Sequence, residues 1–216
     1  MLDPLLFLVF AYILGSFPSG YLITKFSTGK DILSTGWRKT SASNVYRHIG
    51  KWQGVLTGIL DMIKGYLAVY FAQKLGFPSE IQISSGLVAV IGHNWSCFLR
   101  MAGGRGIGTF VGALLALSSE IFIVSLIFFV VFSLIFNPAL VTFLFLVINI
   151  FLSLYLSQFE LIGYFTLFCL APIFIKRLSP IKEIFPLVER KSLIKNRLLY
   201  DNDEIGRIRV RSLFEK

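Results

Sequence analysis

The sequence contains few of the residues on which soluble enzymes usually depend. It has only two cysteines and two histidines among 216 residues, and 15% of the chain is charged. Soluble domains carry about 25% charged residues. Cys97 and Cys169 lie in separate apolar stretches, without the spacing of metal ligands, so we expect both to be buried small side chains. The sequence also lacks a metal motif, a Walker loop and a serine-hydrolase elbow, and we expect neither metal nor cofactor.

Apolar residues dominate the chain instead. Hydrophobic residues make up 55% of it, and the mean hydropathy is +0.74. A soluble fold of this size could not cover so much apolar surface, whereas lipid can act as its solvent. The formal net charge of +9 would suggest nucleic acid in a soluble protein. In this chain it indicates juxtamembrane Lys and Arg facing anionic lipid, and we expect no nucleic-acid partner.

The apolar stretches predict an all-α integral membrane protein of about seven transmembrane helices. Residues 107–136 could form one long helix or two helices broken near Ser118. Seven spans place the basic loops and the tail on one side, whereas six would carry the basic tail across the membrane, against the positive-inside tendency. We therefore expect the N-terminus outside and the C-terminus in the cytoplasm. The expected spans are 3–24, 53–73, 81–99, 107–118, 121–136, 139–157 and 161–175.

This topology divides the chain into a membrane domain, 1–176, and a basic cytoplasmic tail, 177–216. Within the tail, Leu193, Ile194, Arg197 and Leu198 are spaced for a short interfacial helix, and a plain solvated tail is the alternative.

Two polar segments in the first part of the chain are unusual for a membrane protein. Gly15-Ser16-Phe17-Pro18 falls inside the first apolar stretch, where Pro frees a backbone carbonyl and small residues allow close approach. A simple packing kink is the alternative. The loop 29–50 is rich in hydroxyls and small residues that can surround an anion, and Arg47 can bind its oxygens bidentately.

Two further segments place charges beside the membrane. Asp61 and Lys64 are three residues apart, so they share one helix face and can neutralise each other, either as a functional pair or as a structural one. The loop Gly103-Gly104-Arg105-Gly106 precedes an apolar helix, where free N–H groups and the helix dipole favour anions. We interpret His93 as a hydrogen-bonded helix residue rather than a base.

Together these segments resemble the PlsY family of acyl-phosphate:glycerol-3-phosphate acyltransferases. The resemblance covers roughly residues 10–115, with the family's motifs in the same order and at similar spacing. The matching residues are Gly15-Ser16-Phe17-Pro18, Gly29-Lys30-Asp31-Ile32, Asp61 with Lys64 and Gly65, Gly92-His93, and Gly103-Gly104-Arg105-Gly106.

The resemblance implies a bacterial inner-membrane enzyme with a cytoplasmic active site that acylates glycerol 3-phosphate from acyl phosphate. It implies lipid as a partner, and with it the soluble acyl-phosphate synthase (PlsX type) that supplies the donor. By position, Arg47 and Arg105 correspond to the cations that act on phosphate, and Ser43 and Asn44 to the pocket residues beside them. We add as further candidates for substrate or phosphate binding Ser41, Gly103, Gly104, Ser16, Lys64 and Asp61.

The chain also departs from the family pattern. Trp37 replaces a family Ser, Lys39 an Asn and Ser41 a Gly, while Arg105 stands where the family has Lys. The family's C-terminal His is missing as well. These departures keep open a divergent or inactive paralogue that binds a phosphorylated lipid precursor. A small transporter is a more distant alternative, because the last three apolar stretches are almost uncharged.

Overall fold

The computed structural model describes residues 3–136, 138–179, 194 and 197. In this part of the chain the structure is helical. The α-helices are α1 (Pro4–Ser16), α2 (Ser19–Thr28), α3 (Ala42–His48), α4 (Lys51–Lys74), α5 (Ser79–Asn94), α6 (Ile107–Leu117), α7 (Ser119–Ile135), α8 (Pro138–Tyr155) and α9 (Tyr164–Leu178). Single turns of other helix types occur at Ile32–Ser34, Cys97–Leu99 and Phe159–Gly163.

The predicted apolar stretches coincide with these helices. The first contains α1 and the beginning of α2, which continues to Thr28, and the two helices are separated at Phe17 and Pro18 as the proline predicts. The ambiguous stretch forms two helices, because Ser118 adopts an extended conformation (φ −154°) between α6 and α7. Its hydroxyl oxygen then accepts a hydrogen bond from the Ile121 N–H at 3.3 Å, which caps α7.

Three helical segments among the described residues are long and apolar enough to cross a membrane. They are Pro4–Thr28, Lys51–Lys74 and Phe159–Leu178. Shorter apolar helices occupy the fourth, fifth and sixth stretches: Ile107–Leu117, Ser119–Ile135 and Ala139–Tyr155. Short helices of this kind span in bundles and in thinned bilayers. The all-helical membrane fold is therefore confirmed, and the number of spans and their orientation remain predictions.

Hydrogen bonds between loops show which helix ends lie together. At one end, Lys39 donates to the Arg177 carbonyl at 3.3 Å, and Arg177 donates to the Ala139 carbonyl at 3.2 Å. At the other end, Gln158 donates to the Glu120 carboxylate at 3.2 Å. The first end carries loop 29–50, loop 95–106 and the end of α9, so basic residues concentrate there. We call it the basic face.

The core lies where α4, α5, α6 and α9 meet. The rings of Phe110 and Phe165 stack at 4.9 Å, and both side chains are fully buried. Helices α4 and α6 approach so closely that a Cβ at Gly65 would collide with the Thr109 carbonyl, and one at Gly112 with the Met62 carbonyl. Small residues at such contacts are the usual means by which membrane helices pack.

One expectation about the cysteines is wrong. Cys169 is buried, but Cys97 is exposed. The reason is that α5 ends at Asn94, before the end of the third apolar stretch, and Cys97 begins a turn in the following loop.

Most of the predicted tail lies outside the described residues, including Leu193 and Leu198. Ile194 and Arg197 are helical, and Arg197 donates to the Leu178 carbonyl at 2.9 Å.

The close contact between α4 and α6 gives a paired test within one helix. Gly65→Ala should destabilise the protein by about 1–3 kcal/mol, because the added methyl meets backbone. Gly58→Ala should be neutral or slightly stabilising, since a Cβ there meets only the Ala42 methyl at 3.5 Å. Thermal loss of the monodisperse chromatography peak in detergent measures both. Equal midpoints for the two variants would contradict the proposed packing.

Candidate active site

The loop 29–50 is organised around the buried side chain of Asn44. Its amide oxygen accepts the Trp37 N–H at 2.9 Å, and its amide nitrogen donates to the carbonyls of Thr35 at 3.1 Å and Lys39 at 2.8 Å. These three bonds hold the polar loop against α3. Asn44 was predicted to bind phosphate. In the structure its side chain instead hydrogen-bonds to the backbone of the loop that carries Trp37.

The glycine loop packs directly on His93. The Gly104 N–H donates to the His93 carbonyl at 3.1 Å, and a Cβ at Gly104 would collide with the His93 imidazole. Gly103 lies equally close to the backbone of Asn94, and its carbonyl accepts the Thr40 N–H at 3.3 Å. Only glycine fits at both positions. The two glycines therefore join the loops and set the position of the arginine that follows.

Arg105 and Arg47 meet at the Trp37 ring. The guanidinium carbon of Arg105 lies 4.5 Å from the ring centroid, and that of Arg47 lies 5.3 Å from it. Arg105 is buried and Arg47 is exposed. Burial, and then the nearby charges of Arg177 and Arg47, hold the pKa of Arg105 well below the usual value for arginine. A bound dianion would offset this repulsion, so the arrangement favours phosphate.

A buried charge cluster lies beside these arginines. One carboxylate oxygen of Asp61 receives the Ser19 hydroxyl at 2.6 Å and the Lys64 ammonium at 2.9 Å, and the His93 ring nitrogen lies 3.4 Å away. Lys64 also donates to the Phe17 carbonyl at 3.0 Å, at the break between α1 and α2. Asp61 and Lys64 thus neutralise each other. Their contacts hold the break between α1 and α2 against α4 and α5.

These elements enclose a cavity of about 410 Å³. Its polar end is formed by the side chains of Ser41, Ser43, Asp61, His93, Arg105 and Arg177. Its other end is apolar and lies between α6, α7 and α8, with a lining that includes Val111, Phe122, Leu126, Phe129 and Phe145. One chamber therefore presents cations and hydroxyls at one end and hydrocarbon at the other.

The predicted site residues are only partly brought together. Ser41, Ser43, Asp61 and Arg105 line the cavity. Arg47 does not line it but contacts the Trp37 ring, which also carries Arg105. Gly103, Gly104, Asn44 and Lys64 surround it without lining it. Ser16 is buried at the end of α1, where its carbonyl accepts the Ser96 hydroxyl at 2.6 Å.

Sequence reasoning missed Arg177, Ser19 and the contribution of His93. Arg177 was one basic residue among many near the tail, and only the packing of α9 shows that it reaches the cavity. Ser19 directly follows the Gly-Ser-Phe-Pro segment, and its position after a helix break was the available signal.

The fold and the cavity define an integral membrane protein with one chamber that is lined by cations and hydroxyls at one end and by apolar side chains at the other. The chain belongs to the glycerol-3-phosphate acyltransferase family, whose model matches residues 5–186. Among relatives, a glycerol-3-phosphate acyltransferase of Prochlorococcus marinus (strain NATL1A) is 40% identical over 127 residues, which are 59% of this chain and 64% of the relative. Glycerol-3-phosphate acyltransferase 2 of Moorella thermoacetica is 43% identical over 114 residues, 53% of this chain and 58% of the relative.

Solved structures agree over a longer region than these sequence matches. The glycerol 3-phosphate form of PlsY, an integral membrane glycerol 3-phosphate acyltransferase, superimposes with a TM-score of 0.74 at 26% identity, covering 85% of this chain and 92% of that one. Its lysophosphatidic acid form gives 0.72 at 25% identity, with the same coverage. This chain covers less than two thirds of the length of these two sequence relatives, whereas the superposition covers 92% of each solved PlsY chain.

The buried pair can be tested by a double-mutant cycle. Lys64→Met leaves the Asp61 carboxylate short of its cation and should cost about 3–5 kcal/mol. Asp61→Asn/Lys64→Met should cost clearly less than the sum of the single changes, because the two charges leave together. Unfolding in mixed detergent measures each value. Lys25→Met, an exposed change of the same kind, should shift stability by less than about 0.5 kcal/mol. Strict additivity would show that the pair is not coupled.

Proposed function

We propose that this protein transfers an acyl group from acyl phosphate to the 1-hydroxyl of glycerol 3-phosphate, giving lysophosphatidic acid. The main observation behind this proposal is the cavity with one polar and one apolar end, because an acyl phosphate is itself an anion joined to a hydrocarbon chain. Family membership and the fold shared with the glycerol 3-phosphate and lysophosphatidic acid forms of PlsY support it.

In the proposed reaction the acceptor hydroxyl oxygen attacks the acyl carbonyl carbon. The new C–O ester bond forms, the bond from the carbonyl carbon to the phosphate oxygen breaks, and phosphate leaves with that electron pair. The hydroxyl proton is balanced by the departing phosphate, which takes it up. Because phosphate is a competent leaving group, the protein has mainly to position substrates and stabilise charge.

The proposal gives particular residues of the cavity a role in this reaction. Arg105 and Arg177 would bind the donor phosphate at the polar end. Arg47, on the same Trp37 ring as Arg105, would add its charge to theirs. Ser41 and Ser43 would donate hydrogen bonds to its oxygens. The chain of the acyl group would lie along α6, α7 and α8, where the lining is apolar. The Asp61 cluster would hold the wall of the site without taking part in bond making.

The same proposal gives the protein its place in the cell. The concentration of cations at the basic face supports a cytoplasmic orientation in a bacterial inner membrane, with the tail on the same side. A soluble acyl-phosphate synthase of the PlsX type would then reach the site from the cytoplasm. Residues 1–176 would form the membrane domain and 177–216 the basic tail, whose first residue, Arg177, still belongs to α9 and lines the cavity.

Activity can be measured directly on purified protein. Given palmitoyl phosphate and glycerol 3-phosphate, the wild type should release inorganic phosphate and form lysophosphatidic acid. Arg105→Gln should lower kcat about 100-fold, because one fixed charge at the leaving group is lost, and Arg105→Lys should retain more activity. Lys51→Gln, an exposed change at the same face, should leave activity unchanged. An inactive wild type, or an Arg105→Gln variant equal to it, refutes the proposal and favours a binding paralogue.

The apolar end should set the acyl-chain preference. Val111→Trp fills the chamber between α6 and α7, so kcat/KM for palmitoyl phosphate should fall roughly tenfold relative to hexanoyl phosphate. Val130→Trp is the matched control, because Val130 is an exposed residue of α7 outside the cavity lining. If both variants change the preference equally, the acyl chain does not occupy this chamber.

A further inference from the structure

A groove of about 420 Å³ lies between α2 and α4, on the side of α4 that faces away from the cavity. Its lining is apolar except for Ser19 and Ser27. Residues four apart on α4 form one wall, and one face of α2 forms the other: Trp52, Leu56 and Leu60 with Leu22, Ile23 and Phe26. The described helices leave these walls uncovered, because Phe26 is 84% exposed and Trp52 is 60% exposed. The groove therefore opens toward lipid.

The groove has the depth of one leaflet of a bilayer. Trp52 lies in the first turn of α4, at the basic face, and Leu60 lies about 12 Å farther along the helix axis. One leaflet contributes about 15 Å to the hydrocarbon core. Tryptophan is enriched where the hydrocarbon meets the headgroups, so Trp52 marks the headgroup level. A groove with these limits fits an acyl chain of the leaflet at the basic face.

Cations flank the headgroup end of the groove. Lys25 of α2 and Lys51 of α4 are both exposed, and each directly precedes a lining residue. Neither α2 nor the part of α4 that lines the groove contains an acidic residue. Asp31 is close in sequence, but its carboxylate accepts the Leu33 N–H at 2.8 Å in the following turn. Ser27 is exposed in the lining and can donate to a phosphate or ester oxygen. This end therefore attracts an anionic headgroup.

The inner end of the groove reaches the buried charge cluster. Ser19 lines the groove, and its hydroxyl donates to Asp61, which lines the cavity on the other side of α4. Phe17 also lines the groove, and its carbonyl accepts the Lys64 ammonium. A chain in the groove would pack on the break between α1 and α2. Because this contact exists only in the folded protein, its formation stabilises the fold.

We propose that the groove binds one acyl chain of an anionic phospholipid from the leaflet at the basic face, with the headgroup beside Lys25 and Lys51. The apolar lining and the cations at one end match the two parts of such a lipid. Because the site is separate from the cavity, it is independent of acyl transfer. Acyl phosphate and lysophosphatidic acid also join an anion to a chain, and the experiment distinguishes them from phospholipid.

Filling the groove tests this site. In detergent, phosphatidylglycerol should raise the melting temperature of the wild type by about 4 °C more than phosphatidylcholine does. Leu56→Trp fills the groove and should abolish this difference. Val55→Trp is the matched control, since Val55 is exposed on α4 outside the groove lining, and it should keep the difference. Lys51→Gln should reduce the difference by about half, because one of two cations remains. Without added lipid, Leu56→Trp and Lys51→Gln should both retain the wild-type kcat/KM.

A brominated lipid locates the occupant without a variant that alters the groove walls. Phosphatidylglycerol with brominated chains should quench Trp52 more than brominated phosphatidylcholine does, with Trp52→Phe giving the background. Equal stabilisation and equal quenching by the two lipids would reduce the groove to ordinary lipid contact and overturn the inference. Loss of the phosphatidylglycerol effect in Val55→Trp would place the lipid elsewhere. If palmitoyl phosphate stabilises the wild type as strongly, and Leu56→Trp loses that effect too, the groove holds substrate and the phospholipid site is refuted.

Discussion

The arrangement of the site depends on one buried carboxylate. Asp61 on α4 binds the Ser19 hydroxyl and the Lys64 ammonium, and the His93 ring of α5 lies beside it. Lys64 in turn satisfies the Phe17 carbonyl at the broken first span. Unpaired, each of these groups would be costly in an apolar surrounding; together they are neutral and satisfied. These contacts hold α2, α4 and α5 together at the wall of the cavity, which Asp61 and His93 line.

The position of Arg105 follows from the packing of its loop on His93. His93 forms the surface on which Gly103 and Gly104 rest, and the glycine loop then delivers Arg105 into the cavity. A side chain at either glycine would push the loop outward and with it the guanidinium. The glycines thus act through close approach to α5, and the effect of that packing is to place Arg105 in the cavity lining, which Gly103 and Gly104 themselves do not join.

The sequence predicted the helices well because lipid imposes a simple rule: long apolar runs must form helices that satisfy their own backbone. It also predicted the break at Pro18 and the pairing of Asp61 with Lys64, which depend on local spacing. Arg177 was beyond such reasoning, because its reach into the cavity depends on how α9 docks on α5, where Asn94 donates to the Pro172 carbonyl. The exposure of Cys97 was missed for a similar reason, since the end of α5 at Asn94 is not marked by composition.

Trp37 shows how the site can tolerate a departure from the family motif. A Ser at this position would offer phosphate a hydroxyl group. The Trp37 indole has no hydroxyl, but its ring gives the guanidinium groups of Arg47 and Arg105 a common aromatic surface. Stacking of this kind suits the weakly hydrated arginine better than a lysine ammonium, and position 105 carries arginine where the family has lysine. The two changes are therefore physically linked: the ring contacts two like-charged side chains, the buried Arg105 and the exposed Arg47, and arginine is the cation that stacks well on an aromatic ring. Trp37 and Arg105 therefore form one contact that compensates for two departures from the family motif.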